Sequence, residues 1–503
     1  MKKLYITTPL YYVNDKPHIG HGYTTILADV FSRYNKMYGK DVFFLTGTDE
    51  HGQKVQEAAF KLNTTPKEHV DKFYKNYTEL WKKLNIKYDR FIRTTEKKHI
   101  QKVQKMLLHL WETDEIYIDE YEGLYSVAEE RFITEKEYED GNYREVTKLK
   151  EKNYFFKMSK YQEKLIKHIN DNPNFIIPET RKNEVLGFLK KPLDDLCISR
   201  PKSRLKWGIE IPFDKDYVTY VWFDALLNYI TGVEWDNDQK TFEKWWPANY
   251  HLIGKDIITT HAVYWITMLM AAKLPLPKHI LAHGWWLMDN TKISKSLGNV
   301  INPIDLIEDY SEDALRFFLM REMTLGQDST FSFDLFKKRY NDDLANDLGN
   351  LLNRITILIR KFCDATVPSI INPDKNDTNL ILQATELPNK CLKNIQDFKI
   401  NTTIESIMEV IRSTNKYLEI KQPWKSLKSD KKNQSGLNAL SIYCETIAIS
   451  AKLLYPVMPN KCEQIFNILD IEKNTVNELG FEKISGNKIK EHKALFPRIE
   501  NDS

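Results

Sequence analysis

Pro17-His18-Ile19-Gly20-His21-Gly22, close behind the β-prone run of residues 3–8, is the stretch that decides the fold. Beyond it, apolar residues recur at helical spacing over residues 26–37, and Gly39 follows as a stop signal. Strand, loop and helix in this order predict the first unit of a parallel α/β sheet, with a helix beginning near Gly20.

The start of this helix has the features of an anion site. Gly20 lets a nucleotide lie against the backbone, and His18 and His21 can donate hydrogen bonds to phosphate oxygens beside the positive end of the helix dipole. A His-x-x-His pair alone is more often an ordinary helix entry with two surface histidines. A second motif is therefore needed to favour the nucleotide interpretation.

That second motif is Lys292-Ile293-Ser294-Lys295-Ser296, which follows a strand-like run at residues 278–286. On a polar loop, Lys292 and Lys295 could close two ammonium groups over a triphosphate as negative charge redistributes in the transition state. Such a composition alone is typical of a solvated surface loop. The two motifs together, each beside a strand end, predict a nucleotide site built from two halves of one sheet.

These two motifs resemble the HIGH and KMSKS motifs of class I aminoacyl-tRNA synthetases, with Ile293 in place of Met. Further stretches narrow the resemblance to the methionyl-tRNA synthetase family, and it runs from residue 3 to residue 499. Those stretches are Thr8-Pro9-Leu10-Tyr11-Tyr12, Gly47-Thr48-Asp49-Glu50-His51-Gly52, Ile198-Ser199-Arg200, Tyr220-Val221-Trp222-Phe223-Asp224-Ala225, and His251-Leu252-Ile253-Gly254-Lys255-Asp256-Ile257 with His261.

The resemblance implies roles for individual residues. The implied catalytic group is His18, His21, Lys292, Lys295, Asp49 and Arg200. The implied ATP site is Gly20, His18, His21, His283, Trp285, Lys292 and Lys295. A thioether offers only dispersion contacts and a weak acceptor, so aromatic walls suit it. The implied methionine site is Leu10, Tyr12, Asp49, Trp222, Ala225, Tyr229, Ile257 and His261, with Trp265 beside them. Taken alone, Trp222 and Tyr229 would be read as core residues.

A row of polar residues marks the helical region. Asn346, Asn350 and Arg354 fall at i, i+4 and i+8 of a predicted helix, and Trp424 follows Pro423. Amide and guanidinium groups can meet base edges while an indole stacks on a splayed base. Such a row is otherwise only a polar face; the resemblance implies that these four residues read the anticodon.

Composition agrees with this interpretation without proving it. The 503 residues suggest roughly three domains at about 150 residues each. A net charge of +3 does not by itself demand nucleic acid. The five cysteines are odd in number and scattered, which is typical of reduced thiols and predicts a cytoplasmic protein without disulfides.

The expected fold class is α/β, with a doubly wound parallel (Rossmann-type) sheet split by an insertion and followed by an all-α anticodon-binding bundle. The expected segments are residues 1–114 for the first half of the catalytic domain, 115–210 for a connective insertion without zinc, 211–325 for the second half, 326–340 for a segment connecting the lysine loop to the bundle, and 341–503 for the helical anticodon-binding domain.

The insertion departs from part of the family. Many relatives hold a zinc knuckle with a Cys-x-x-Cys pair there, whereas Ser126 and Glu129 stand at the two thiolate positions of this chain. Structural zinc needs four soft or imidazole ligands, so we expect a zinc-free insertion. The resemblance implies ATP and Mg²⁺ as cofactors. The resemblance also implies that L-methionine and both initiator and elongator methionine tRNA are partners. No association with a membrane is expected. Without a C-terminal OB-type module, a monomer is expected.

Two alternatives remain open from the sequence. A cysteinyl or leucyl enzyme shares both motifs, although the first normally has a zinc thiolate site in its pocket and the second a large editing insertion. A non-catalytic, synthetase-like RNA-binding protein could keep the fold after losing activity. Methionine-dependent exchange of pyrophosphate into ATP separates all three.

Overall fold

The computed structural model of the protein describes residues 2–14, 16–126, 131–133, 138, 139, 141, 146–288, 291, 292, 301–471 and 480–500. Its main sheet is parallel, with strands in the order Tyr11–Tyr12, Asp41–Asp49, Lys3–Thr7, Tyr250–Gly254, His279–His283 and Ile176–Ile177, and with Arg90–Arg93 also paired to Asp41–Asp49.

The strand order confirms the predicted doubly wound sheet. Lys3–Thr7 pairs with Asp41–Asp49 from the first half of the chain and with Tyr250–Gly254 from the second half. The strand order therefore reverses at the first strand, where strands are added first on one side and later on the other. This arrangement leaves a crevice at the carboxyl ends of these strands. Asp41–Asp49 is buried on both faces, which explains its continuous apolar run. Such runs are usual for parallel strands that helices cover on both sides.

Helices cover both faces of this sheet, and two large apolar clusters form the core. The α-helices of this part are Ile19–Met37, Gln53–Lys61, Pro66–Lys83, Lys97–Glu112, Gln162–Asp171, Glu179–Phe188, Val221–Leu226, Asn228–Thr231, Gln239–Trp245 and Trp265–Ala271. Short 3₁₀ segments occur at Met158–Tyr161 and Lys255–Ile257, and a π-helical segment at Thr260–Tyr264.

The remaining described strands form three smaller sheets, the first in the region between the two halves and the third within residues 286–330. One contains Arg131–Ile133, Ile116–Ser126, Val146–Phe156 and Leu196–Cys197, another Ser199–Pro201, Asp214–Thr219 and Glu210–Ile211, and a third Thr291–Lys292, Trp286–Met288 and Ser329–Thr330. The domain boundaries stay a prediction. Within the range assigned to the insertion, however, Ile176–Ile177 pairs in parallel with residues 280 and 281 and so belongs to the main sheet. Two residues are too few to show a strand pattern in the sequence.

The rest of the chain is helical, as predicted. Its α-helices are Pro303–Tyr310, Glu312–Glu322, Phe333–Arg339, Asn350–Phe362, Lys375–Gln396, Ile400–Lys421, Pro423–Ser429, Gln434–Leu454 and Pro459–Leu469, with a π-helical segment at Tyr340–Gly349. Gln434–Leu454 is long and apolar enough to cross a membrane by length and composition, but 94% of its apolar window is buried. Packing at the centre of the bundle accounts for its hydrophobicity.

A buried arginine ties the bundle to the helix that follows the first strand. Arg316 donates to Asp29 Oδ2 at 2.7 Å and to the carbonyl oxygens of Leu84, Pro456 and Val457 at 2.8 to 3.0 Å. Asp29 lies in Ile19–Met37, the helix that begins at the first motif. The motif is therefore held on a rigid element that both parts of the protein support.

Candidate active site

A cavity of about 480 Å³ lies beside the crevice of the sheet and brings most of the predicted site residues together. Every residue of the predicted methionine group lines it, and so do five of the predicted ATP group. Those lining residues are Leu10, Tyr12, Asp49, Trp222, Ala225, Tyr229, Ile257 and His261, together with His18, Gly20, His21, His283 and Trp285. The sequence motifs thus converge on one concave site.

The first histidine pair caps its helix. The ring Nδ1 of His18 accepts from the backbone N–H of Gly20 at 3.1 Å, and Nδ1 of His21 accepts from the backbone N–H of His18 at 3.2 Å. Because an accepting Nδ1 carries no proton, the proton of each neutral ring lies on Nε2. The two rings stack with centroids 3.9 Å apart. The helix start therefore combines two N–H donors with the positive end of the dipole.

Gly20 is required for this cap. A Cβ at Gly20 would lie 2.9 Å from Cε1 and 3.1 Å from Nδ1 of His18. No ordinary side-chain contact is that short, so any larger residue would push the ring away from its hydrogen bond.

His283 joins the second half of the sheet to this helix. Its Nδ1 donates to the carbonyl oxygen of Gly284 at 2.7 Å, and its Nε2 accepts from the hydroxyl of Thr24 at 2.8 Å. Burial lowers the pKa of His283, which keeps the ring neutral. Nearby, Trp285 donates from Nε1 to Asp256 at 3.2 Å, so its indole is fixed at the edge of the cavity.

The opposite end of the cavity is aromatic, and its histidine is neutral. His261 donates from Nδ1 to the carbonyl oxygen of Ile257 at 2.9 Å, and its Nε2 accepts from the hydroxyl of Tyr229 at 2.7 Å. Burial lowers the pKa of His261 to about 4, so its imidazole is neutral near pH 7. Trp222 stands edge-on to His261 and to Tyr12, with centroids 6.4 and 6.3 Å apart.

Trp265 supports this end from behind. It is not among the residues that line the cavity, so its place in the pocket wall stays a prediction. Its Nε1 donates to Nε2 of His251 at 3.2 Å, and the His251 ring packs on Tyr229 with centroids 4.2 Å apart. From the sequence alone, a tryptophan buried behind a pocket cannot be distinguished from one that faces a ligand.

Asp49 lies at the end of its strand, and the next residue fixes that strand end. Glu50 is fully buried and accepts from Arg93 in a bidentate ion pair, with N–O distances of 2.7 and 2.9 Å. Thr48 and Thr95 also donate to this carboxylate. The network holds Asp49 at the cavity.

Three predicted site residues are not among those described as lining the cavity. Arg200 is buried, donates to the carbonyl oxygen of Ser199 at 2.6 Å and packs over the ring of Tyr220 at 4.7 Å. Lys292 lies in the short strand Thr291–Lys292, and Lys295 lies outside the described residues. Roles for Arg200, Lys292 and Lys295 stay predictions.

The sequence analysis missed several lining residues. Asn14, Lys54, Tyr77 and Asp256 line the same cavity. Tyr77 donates from its hydroxyl to the carbonyl oxygen of Tyr12 at 2.7 Å, so it shapes the loop that carries Tyr12. Nothing in its helical pattern separates Tyr77 from an ordinary core tyrosine, whereas Asp256 stands inside a quoted motif and could have been found there.

The predicted anticodon residues also meet. Asn346, Asn350 and Arg354 line a second cavity of about 430 Å³ in the helical region, and Arg354 packs over the ring of Trp424 at 5.3 Å. Asn346 lies in the π-helical segment Tyr340–Gly349, and Asn350 begins the α-helix that also carries Arg354. The anticodon role of these residues stays a prediction. The residues missed by the sequence analysis are Asp347, Asn353, Asn415, Lys416 and Glu419.

The insertion provides no described metal ligands. Ser126 is buried at the end of Ile116–Ser126, and a hydroxyl is not a zinc thiolate. Glu129 lies outside the described residues. Among the residues that are described, three or more His, Cys, Asp or Glu side chains nowhere form a group able to hold a metal ion.

Family comparisons agree with the fold and the site. The family model described as "tRNA synthetases class I (M)" matches residues 4–142 and 142–356, and that described as "Anticodon-binding domain of tRNA ligase" matches residues 377–502. A doubly wound sheet with a histidine-capped helix at its crevice, followed by a helical region, thus defines a class I aminoacyl-tRNA synthetase.

Relatives narrow the class to one family. The methionine–tRNA ligase of Clostridium tetani is 45% identical over 99% of this chain and 79% of its own length, and that of Bacillus subtilis is 41% identical over 99% and 78%. The solved Mycobacterium tuberculosis methionyl-tRNA synthetase in complex with methionyl-adenylate superposes with a TM-score of 0.95 at 38% identity, covering 99% of this chain and all of that one. The chain belongs to the methionyl-tRNA synthetase family.

Proposed function

We propose that the protein is a methionine–tRNA ligase, which uses ATP to convert methionine to methionyl-adenylate and transfers the methionyl group to tRNA. One observation carries the proposal. A single cavity joins a helix start with two N–H donors to an aromatic end, and Asp49 lines the same cavity. The first part suits phosphate, and the second part suits a thioether with an α-ammonium group.

The phosphate end would bind ATP. The Nε2 atoms of His18 and His21 donate to phosphate oxygens, and Gly20 lets the nucleotide approach the backbone. Adenine lies near His283 and Trp285. Lys292 and Lys295 would neutralise the departing pyrophosphate, and Mg²⁺ would enter with ATP and supply further neutralisation of phosphate charge.

The aromatic end would select methionine. Leu10, Tyr12, Trp222 and Ile257 supply dispersion contacts, and the neutral His261 leaves no net charge beside the sulfur. Asp49 binds the α-ammonium group, and Arg200 steadies the carboxylate and the adenylate.

The chemistry requires no covalent enzyme intermediate. A methionine carboxylate oxygen attacks the α-phosphorus in line, and the bond to pyrophosphate breaks as the mixed anhydride forms. A terminal ribose hydroxyl of tRNA then attacks the carbonyl carbon of the adenylate, and AMP leaves. Both steps depend on positioning and on stabilisation of negative charge, which the capped helix start supplies.

The helical region would select the tRNA. Asn346, Asn350 and Arg354 read anticodon base edges, and Trp424 stacks on an unpaired base. Both initiator and elongator methionine tRNA are proposed as substrates. We further propose that the protein is cytoplasmic and monomeric and that it holds no zinc. Its domains are proposed to have the boundaries expected from the sequence.

The test is pyrophosphate exchange into ATP by purified protein, with methionine, with cysteine, with leucine and with no amino acid. Exchange that depends on methionine alone, followed by charging of methionine tRNA, is the expected result. Folded protein without methionine-dependent exchange would instead indicate a synthetase-like RNA-binding protein, and preference for cysteine or leucine would indicate another specificity.

A further inference from the structure

A buried hydrogen bond joins two walls of the methionine end of the cavity. Nδ1 of His51 donates to Oδ2 of Asp224 at 2.9 Å. Asp224 lies in Val221–Leu226, the helix that carries Trp222. His51 follows two positions after Asp49 on the other wall. We name this contact the Asp224–His51 clasp.

The clasp contains an ionised carboxyl group and is excluded from water. The Asp224 side chain is fully buried, and that of His51 is 5% exposed. Burial raises the pKa of Asp224, but His51 and His99 outweigh this effect and lower it overall, so the carboxyl group is ionised. A charge in such surroundings holds its hydrogen-bond partner more firmly than a surface pair does.

A contribution to protein stability does not by itself explain why the Asp224 carboxylate is buried here. Its second oxygen, Oδ1, lies 3.9 Å from Nε2 of His99, and within the described part of the chain neither atom has a hydrogen-bond partner. The hydroxyl of Thr231 fixes the His99 ring at 2.8 Å from its other side. A buried polar atom without a partner costs stability and is typical of places kept for function.

The wall that carries Asp49 is fixed independently of the clasp. Arg93 binds the carboxylate of Glu50, and Trp207 donates from Nε1 to the carbonyl oxygen of Glu50 at 2.5 Å. The clasp then connects the Trp222 helix to this fixed wall, so it helps to set how far that helix stands from Asp49.

We propose that Asp224 and His51 are positioning residues that set the separation between the ammonium-binding wall and the side-chain wall, and thereby select the length of the amino-acid side chain. The inference rests on the proposed function, because it assigns those two walls to methionine. Loss of the clasp should loosen the fit to methionine and admit a longer thioether, while the ATP end, built on another helix, is unaffected.

The experiment measures pyrophosphate exchange by Asp224→Ala, His51→Ala and His51→Asn, with methionine and with ethionine, which is one carbon longer. For the two alanine variants we expect the KM for methionine to rise about tenfold, the KM for ATP to stay within about twofold, and the preference for methionine over ethionine to fall about tenfold. An asparagine amide replaces the Nδ1 donor, so His51→Asn should restore most of the preference.

One control separates positioning from general damage. Asp377→Asn alters a buried carboxylate that pairs with Lys421 at 2.7 Å in the helical region, and should leave both exchange KM values unchanged.

Equal rises in both KM values, an unchanged preference over ethionine in the alanine variants, or no recovery in His51→Asn would overturn the inference. Wild-type exchange with methionine tests the proposed function by itself, whereas only the shift of the variants from wild type tests the clasp.

Discussion

Replacing Gly20 with alanine tests whether the histidine cap, rather than the glycine itself, organises the phosphate end. The new Cβ would lie 2.9 Å from Cε1 of His18, so the ring must turn out of its hydrogen bond with the backbone N–H of residue 20. Loss of such a cap costs about 1 kcal/mol, and alanine gains about 1 kcal/mol over glycine in a helix. The free energy of unfolding should therefore change little.

The rate of adenylate formation should nevertheless fall. Turning the ring displaces the Nε2 donor, and loss of one preorganised donor typically lowers a rate by about 10²–10³, or about 3–4 kcal/mol of barrier. The KM for methionine should stay within about threefold, because its aromatic end is untouched.

The assay is single-turnover formation of methionyl-adenylate at saturating methionine and ATP, with urea unfolding of the same protein. Gly22→Ala is the matched control, because its Cβ would meet only Cδ1 of Leu84 at 3.9 Å, an ordinary contact. It should keep the wild-type rate. A wild-type rate in Gly20→Ala, or the same loss in both variants, would refute the role given to the cap.

Three further predictions concern other parts of the protein. Trp424→Ala should lower charging of methionine tRNA about 10- to 100-fold at sub-saturating tRNA, since base stacking contributes about 1–3 kcal/mol, while methionine-dependent exchange is unchanged. Elemental analysis should find no stoichiometric zinc, and activity should survive a strong chelator once Mg²⁺ is restored. Burial raises the pKa of Glu445 to about 7, so the folded protein holds a proton that the unfolded chain has lost. Stability should therefore fall by about 3 kcal/mol as the pH rises from 4.5 to 7, and urea unfolding of Glu445→Gln should lack this component.

Motifs with local geometry were predictable from the sequence, and contacts between distant segments were not. Pro17 to Gly22 could be interpreted because a cap needs only residues of one helix start, and the structure places both histidines there. The Asp224–His51 contact spans 173 positions, so no spacing rule reveals it. The same applies to Tyr77, whose hydroxyl supports the loop of Tyr12.

The π-helical segments mark a second limit of sequence reasoning. Both carry a candidate binding residue, His261 in Thr260–Tyr264 and Asn346 in Tyr340–Gly349. An extra residue per turn re-aims a side chain, and such segments frequently occur at functional sites. Helical spacing assumes 3.6 residues per turn, so it groups Asn346 with Asn350 and Arg354 but does not reveal the π-helical geometry of Asn346.

Histidines take two opposite hydrogen-bonding roles in this site. The backbone atom that faces Nδ1 decides whether Nδ1 accepts or donates. In His18 and His21, Nδ1 accepts from a backbone N–H at a helix start, so Nε2 carries the proton and can donate to an anion. In His261 and His283, Nδ1 donates to a backbone carbonyl, so Nε2 accepts from a hydroxyl. The helix start that is proposed to bind phosphate therefore presents two Nε2 donors, whereas the Nε2 atoms of His261 and His283 are occupied by hydroxyl groups. Because carbonyl and N–H positions belong to the fold, the charge pattern of the cavity is set before either substrate binds.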